Sequence, residues 1–295
     1  MLKLVILIIY FAVLIGIGLY CRKHATDVNG FVLGGRSVGP WLTAFAYGTS
    51  YFSAVVFVGY AGQFGWKYGI AATWAGIGNA IIGSLLAWVV LGRRTRIMSQ
   101  HLDSATMPQY FGKRFGSNPL KIGASVIIFI FLIPYTASLY NGLSRLFGMA
   151  FNIDYSVCII IMATLTAIYV IAGGYMATAI NDFIQGIIML FGIVAVIAAV
   201  IHSKGGFMSA LQGLANVSDP AVSKTPGIFA SFFGPDPFNL LCVVILTSLG
   251  TWGLPQMVQK FYAIDNEASI QKGTVISTIF ALIVSGGCYF LGGFG

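Results

Sequence analysis

The sequence predicts an all-α integral membrane protein with an inverted five-helix repeat behind one extra N-terminal helix. Three observations predict it. Of 295 residues, 58% are hydrophobic and only 8% charged, with a mean hydropathy of +0.88, whereas a soluble domain has about a quarter of its residues charged. The apolar runs are near-continuous rather than alternating, which favours helices over a β-barrel. Two of the runs are interrupted by glycines, hydroxyls and, in the later one, a proline, and they lie five spans apart. An odd separation turns them in opposite directions through the bilayer, the arrangement of inverted repeats.

Eight runs approach the roughly 17–25 residues that a span needs: residues 4–20, 41–64, 70–91, 122–143, 155–172, 183–201, 240–258 and 275–294. The first lacks a strongly basic start and a small-residue cleavage site, so it reads as a helix rather than a leader. Eleven of the 16 Lys and Arg fall in loops that are cytoplasmic if the N-terminus is outside, against five on the other side. The positive-inside rule therefore places the chain in a cell (plasma or inner) membrane as a multi-pass protein, N-terminus outside. Residues 1–39 form the extra helix and a cytoplasmic loop. Residues 40–202 form the first repeat, 203–239 an external loop with room for a surface helix, and 240–295 the first two helices of a second repeat. Cys21, Cys158, Cys242 and Cys288 stand singly and suit neither a disulfide framework nor a metal site. The net charge of +8 is read loop by loop and not as affinity for nucleic acid.

Residues 41–64 carry no charge but hold Thr43, Thr49, Ser50, Ser53 and Gln63 among three glycines. Polar groups and glycines at membrane depth cost free energy unless they face protein or a wet cavity. Residues 247–256 (TSLGTWGLPQ) interrupt the seventh run more severely. Half-helix ends at two such breaks supply free carbonyls for a cation and positive N-termini for an anionic group. Pro134, beside Tyr135, interrupts the fourth run, with a packing kink as the simpler reading. Seven of the eight acids fall in connecting segments; Asp182, after Gly173 and Gly174, leads into the sixth run. There it serves either as an acid at a positive helix end or as a carboxylate that needs a cation, a basic side chain or water.

Three blocks resemble the sodium:solute symporter family, which includes proline, pantothenate, sialic acid and sugar carriers. FVLGGRSVGP (31–40) is similar to the family's lead into its first core helix. YVIAGGYMA (169–177), continued by Asp182 and Gln185, is similar to its Y-x-x-x-GG-x-x-A and D-x-x-Q signature. Gly253 to Gln256 with Lys260, Phe261, Ala263 and Asp265 resemble the proline carriers' G-Q-P-x-x-x-x-R-F-x-A-x-D. The resemblance implies a leucine-transporter-type fold whose second repeat is incomplete in this chain, and solute uptake driven by a sodium ion through alternating access. It implies backbone carbonyls of Thr49 and Phe52 as sodium ligands, with Asp182 at a second sodium or on the exit path. It places Tyr51, Ser53, Val55, Val56, Tyr135, Thr247 and Thr251 around the solute, and Trp252 as a cavity-side or gating aromatic. Proline carriers have an acid at Tyr51 and bulky aromatics at Val55, Thr247 and Thr251, and sugar carriers have a polar pair where this chain has Val55 and Val56. The chain would then be a fragment of a longer protein that does not transport alone.

The expected function is sodium-coupled uptake of a small organic solute, an amino acid or carboxylate before a sialic acid or sugar. The alternatives are a proton-coupled carrier working through Asp182 and a membrane sensor that keeps the same fold. An intramembrane enzyme is not expected, because His24, His101 and His202 lie at span ends or in loops and Asp182 has no acidic or nucleophilic partner. The expected partners are the solute and the lipid bilayer, with no nucleic acid and no obligate protein partner.

Overall fold

The computed structural model describes residues 2–53, 55–219 and 221–294, the side chains of residues 2–4, 24, 55, 57 and 58 apart. Helix α1 (Leu2–Cys21) is followed by the short α2 (Val28–Leu33), capped by the Asp27 carboxylate. The second apolar run splits into α3 (Pro40–Tyr51), a wide π-type segment (Val55–Tyr60) and α4 (Ala61–Tyr68). Helix α5 (Thr73–Gly78) passes through two more π-type segments (Asn79–Leu86 and Trp88–Gly92) into α6 (Arg93–His101). Then come α7 (Met107–Phe115), α8 (Asn118–Phe151), α9 (Tyr155–Ser203) and, in the long loop, the short helix α10 (Phe207–Ala215). The seventh run splits into α11 (Pro237–Leu249) and α12 (Pro255–Ala263), and α13 (Glu267–Gly292) closes the fold.

Among the described residues, four helices are long and apolar enough to cross a membrane: Ala61–His101, Asn118–Phe151, Tyr155–Ser203 and Glu267–Gly292. Val5–Cys21 and Pro237–Leu249 are shorter apolar helices. The count falls below the eight runs in the sequence partly because glycine turns are hidden inside continuous helical stretches. Gly69 (φ 62°, ψ −144°) and Gly174 (φ 56°, ψ −149°) adopt a conformation open almost only to glycine. Neither has room for a methyl group, which would meet the backbone of Phe229 or of Phe31. Helix α9 is thus two helices joined at Gly174.

Two expectations are corrected here. Asp182 does not stand at the start of a helix: helical geometry resumes directly after Gly174, which puts Asp182 about two turns inside. Pro134 does not interrupt the fourth run, because α8 continues through it for 34 residues. The kink reading is the one consistent with that continuity.

The core lies where α3, α9, α12 and α13 meet. Tyr47, Trp88 and Phe261 form an aromatic triad with centroid separations of 5.6, 5.7 and 5.1 Å. Phe45 packs on Phe183 at 4.8 Å and Phe280 at 5.1 Å. Small residues let these helices close in: Gly48 faces the Phe280 ring, and Gly65 and Gly292 bring the backbones of α4 and α13 together.

The first and third sequence blocks meet at one end of the molecule, here called the basic end. Val38 pairs with Ile264 in an isolated parallel bridge; the Val38 amide donates to the Ala263 carbonyl (3.2 Å) and the Asp265 amide to the Val38 carbonyl (3.1 Å). Arg36, in the left-handed region at φ 55°, donates to the carbonyls of Ser104 (2.8 Å), Tyr262 (3.2 Å) and Ser99 (3.3 Å) and to the Ser99 hydroxyl (3.3 Å). Arg96 donates to the carbonyls of Ile264 (2.6 Å) and Asp265 (2.9 Å). Desolvation lowers the pKa of the Arg36 guanidinium, while Asp103 and Tyr262 draw it back up. The start of α3 and the end of α12 are therefore stitched together. Arg36→Lys removes the planar fork that serves four acceptors. Its expected cost is about 1.5–3 kcal/mol, read as a lower melting temperature of the detergent-solubilised protein; an unchanged melting temperature would show the fork to be dispensable.

Candidate functional site

Helix α3 ends because the chain unwinds at Phe52 (φ −96°, ψ 58°). The Phe52 amide still bonds the Gly48 carbonyl at 2.8 Å, but among the described residues no amide donates to the Thr49 carbonyl. The Val56 amide, which a continuous helix would aim at Phe52, bonds Ser53 instead at 3.0 Å. The Phe52 ring is buried and stacked on Tyr51 at 4.4 Å, which leaves only its backbone for polar work. The Thr49 hydroxyl bonds back to the Phe45 carbonyl at 2.9 Å and stands beside the Asp182 carboxylate.

Asp182 has a cation of its own. Its Oδ2 lies 3.6 Å from Lys260 Nζ, with side chains 22% and 8% exposed. Lys260 also sits over the Tyr175 ring, 5.1 Å from its centroid. Of the three needs open to a carboxylate at this depth, the basic side chain is the one met. Thr49, expected at one sodium, and Asp182, expected at a second or on the exit path, are brought together; Lys260, on α12, is the partner that spacing did not reveal.

The two interrupted helices flank a cavity of about 370 Å³. Its wall includes Tyr51, Ser53, Val56, Tyr135, Thr247 and Thr251, six residues expected there. The Val55 side chain lies outside the described residues. Trp252 is not on the wall: its indole donates to the Ile82 carbonyl at 3.0 Å and packs against the core. Ser50, Asn79, Ser138 and Tyr289 also line the cavity, and sequence reasoning missed them. The Tyr289 hydroxyl is buried on the same wall beside Asn79. Asn79 is the one amide in the third run, whose other polar residues are the hydroxyls Thr73 and Ser84, and a lone amide at membrane depth is the signal that would have flagged it. A larger groove of about 490 Å³, between Trp74, Phe233 and α11, is apolar throughout and has no group to orient a polar solute.

A wall of hydroxyls, aromatics, aliphatics and one amide between two broken helices, with a carbonyl at one break that no amide among the described residues claims, suits a small organic molecule with polar groups and a monovalent cation. The sodium:solute symporter family model matches residues 31–295. The chain belongs to that family. Symporters of this family are transporters and not enzymes. Curated sodium/proline symporters of Staphylococcus aureus, strains JH9 and NCTC 8325 among them, are 32% identical over 278 residues, 91% of this chain and 51% of theirs. The chain thus spans about half the length of those symporters. A solved structure of a substrate-bound, outward-open Na+-coupled sialic acid symporter superposes with a TM-score of 0.76 at 16% identity, over 100% of this chain and 61% of that one. At that identity the likeness shows the symporter fold alone.

Proposed function

We propose that this chain supplies the sodium and solute sites of a symporter that takes up a small organic solute by alternating access, with sodium as the coupling ion. The observation that carries the reading is the cavity itself, set between two helices that both unwind at its wall. The carbonyls of Thr49 and Phe52 hold the sodium, and Asp182 guards its path toward the basic end. Tyr51, Ser53, Val56, Tyr135, Thr247, Thr251 and Tyr289 face the solute; Val55 belongs to the same wall and Trp252 supports it from behind. Residues 40–202 and 240–295 belong to two inverted repeats of the leucine-transporter type, and the N-terminus lies outside.

An amino acid or small carboxylate is the preferred cargo. No charged side chain lines the cavity, but Leu254, the N-cap of α12, does. The positive end of a nine-residue helix there favours a carboxylate. The names of the sodium/proline relatives point the same way, and the sialic acid symporter keeps a sugar acid as the second choice.

The test is a thermal-shift screen of the natural full-length protein against amino acids, small carboxylates, sialic acid and sugars. It is run in sodium and again in choline, at each of two fixed pH values. At least one solute is expected to raise the melting temperature in sodium and not in choline. Equal shifts in both salts would remove sodium coupling. A shift that follows pH and ignores sodium would replace it by proton coupling.

A further inference from the structure

Asn79 is 1% exposed and opens the π-type segment after α5. Its Oδ1 lies 3.1 Å from the hydroxyls of Thr247 and Ser248 and 3.2 Å from that of Tyr51, and its Nδ2 lies 3.3 Å from the Ser285 hydroxyl. One amide thus joins the last turn of α3, the last turn of α11 and α13 on the cavity wall.

The protons at this junction have two ways to be shared. Each hydroxyl carries one, and a carbonyl oxygen has two lone pairs. The Tyr51 hydroxyl is also 2.9 Å from the Thr247 carbonyl, and the Thr247 hydroxyl is 2.9 Å from the Val243 carbonyl. Only Ser248 among the three has no rival acceptor. Tyr51 and Thr247 can therefore give their protons to Asn79 or to backbone carbonyls at nearly the same distance. Two arrangements of similar geometry form a bistable element, and an influence on either side can bias it.

Tyr51 lies between Thr49 and Phe52, whereas Thr247 lies one turn before the second break. Gly83 leaves the Tyr51 hydroxyl no slack: a methyl group there would collide with it. A cation that orders residues 49–52 acts on the neighbouring Tyr51, whose hydroxyl reaches α11 directly at the Thr247 carbonyl and, through Asn79, at the hydroxyls of Thr247 and Ser248. We propose that Asn79 is the positioning residue that couples the sodium site to the solute wall. This inference rests on the symporter reading above. It makes Asn79 a relay between the two interrupted helices, acting through Tyr51 and Thr247 rather than on the ion.

The test uses sodium alone, so that no solute need be known. Thr251→Cys, made in the full-length protein with Cys242→Ser, reports on the wall through its rate of maleimide labelling. With Asn79 intact, sodium in place of choline is expected to change that rate about fivefold or more, the lower range of ordinary coupling. With Asn79→Leu the ratio is expected to fall to about one, while sodium still raises the melting temperature. Tyr51→Phe, which removes both the Asn79 contact and the direct bond to the Thr247 carbonyl, is expected to do likewise. Asn79→Ala, which leaves the direct bond in place, decides the matter if Asn79→Leu does not fold. A labelling ratio that survives in the variants overturns the relay and leaves the symporter reading intact. Loss of the sodium melting shift together with the ratio also overturns it, because Asn79 would then be a support of the ion site. Labelling and melting both indifferent to sodium with Asn79 in place would defeat the symporter reading itself.

Discussion

Replacing Asp182 by Asn is expected to lower the stability of the folded protein by about 3–5 kcal/mol, the range measured when one partner of a buried ion pair is removed. The cause is what remains rather than what is lost. Lys260 is 8% exposed, and without the carboxylate its ammonium has no acidic partner among the described residues. Asn keeps the size of the side chain but cannot offset a full charge. Adding Lys260→Met is expected to restore most of the loss, since an apolar pair of similar volume is often neutral or stabilising at such a site. The measurement is the melting temperature of the single and double variants in detergent, in sodium and in choline. A single variant as stable as the parent would mean that the pair is not formed in the native protein. A double variant no better than the single would place the cost elsewhere. The same samples address the ion: Asp182→Asn is expected to weaken the melting shift caused by sodium, and an unaltered shift would leave Asp182 with the lysine as its sole task.

Gly292→Val is expected to cost about 3 kcal/mol or more, at or beyond the upper range for overpacking a core. A methyl group at Gly292 would land on the Ala61 carbonyl, and one at Gly65 on the Gly292 carbonyl. These are backbone atoms of two packed helices, so no side chain can rotate out of the way. Gly65→Val is expected to fail in the same manner, and the two together to cost less than their sum because they spoil one contact. Size-exclusion profiles and melting temperatures supply the check; monodisperse Gly292→Val protein with the parent's melting temperature would show that α4 and α13 do not approach so closely.

Much of the fold was legible in the sequence because glycine, proline and hydroxyls at membrane depth have few uses. The two interrupted helices were visible that way, and the first unwinds at Phe52. The Thr49 hydroxyl bonds back to Phe45 and so stays helical. Pro134 carried the same signal, and its simpler reading as a packing kink is the one consistent with an unbroken α8. Asp182 was found but misplaced, since the turn at Gly174 occupies a single residue and the next helix begins at once. Lys260, Asn79 and Tyr289 escaped notice for a different reason. Their meaning lies in partners or surroundings far away in sequence, 168 residues from Asn79 to Thr247, and no local spacing reveals such a neighbour. The motif blocks at residues 31–40 and 253–265 were conspicuous, yet much of their work is done away from the cavity, at the basic end.

That stitch also has a timetable. Arg36 and its acceptor on Tyr262 are 226 residues apart. A ribosome adding roughly 5–20 residues per second needs on the order of 10–45 s to bridge that gap. Throughout that interval the guanidinium has no Tyr262 to grip, and neither hydrogen bond of the parallel bridge can form. Biogenesis of this region is therefore late and concerted, and a nascent product stalled before the third block would show a quality-control protease an arginine still short of its Tyr262 carbonyl.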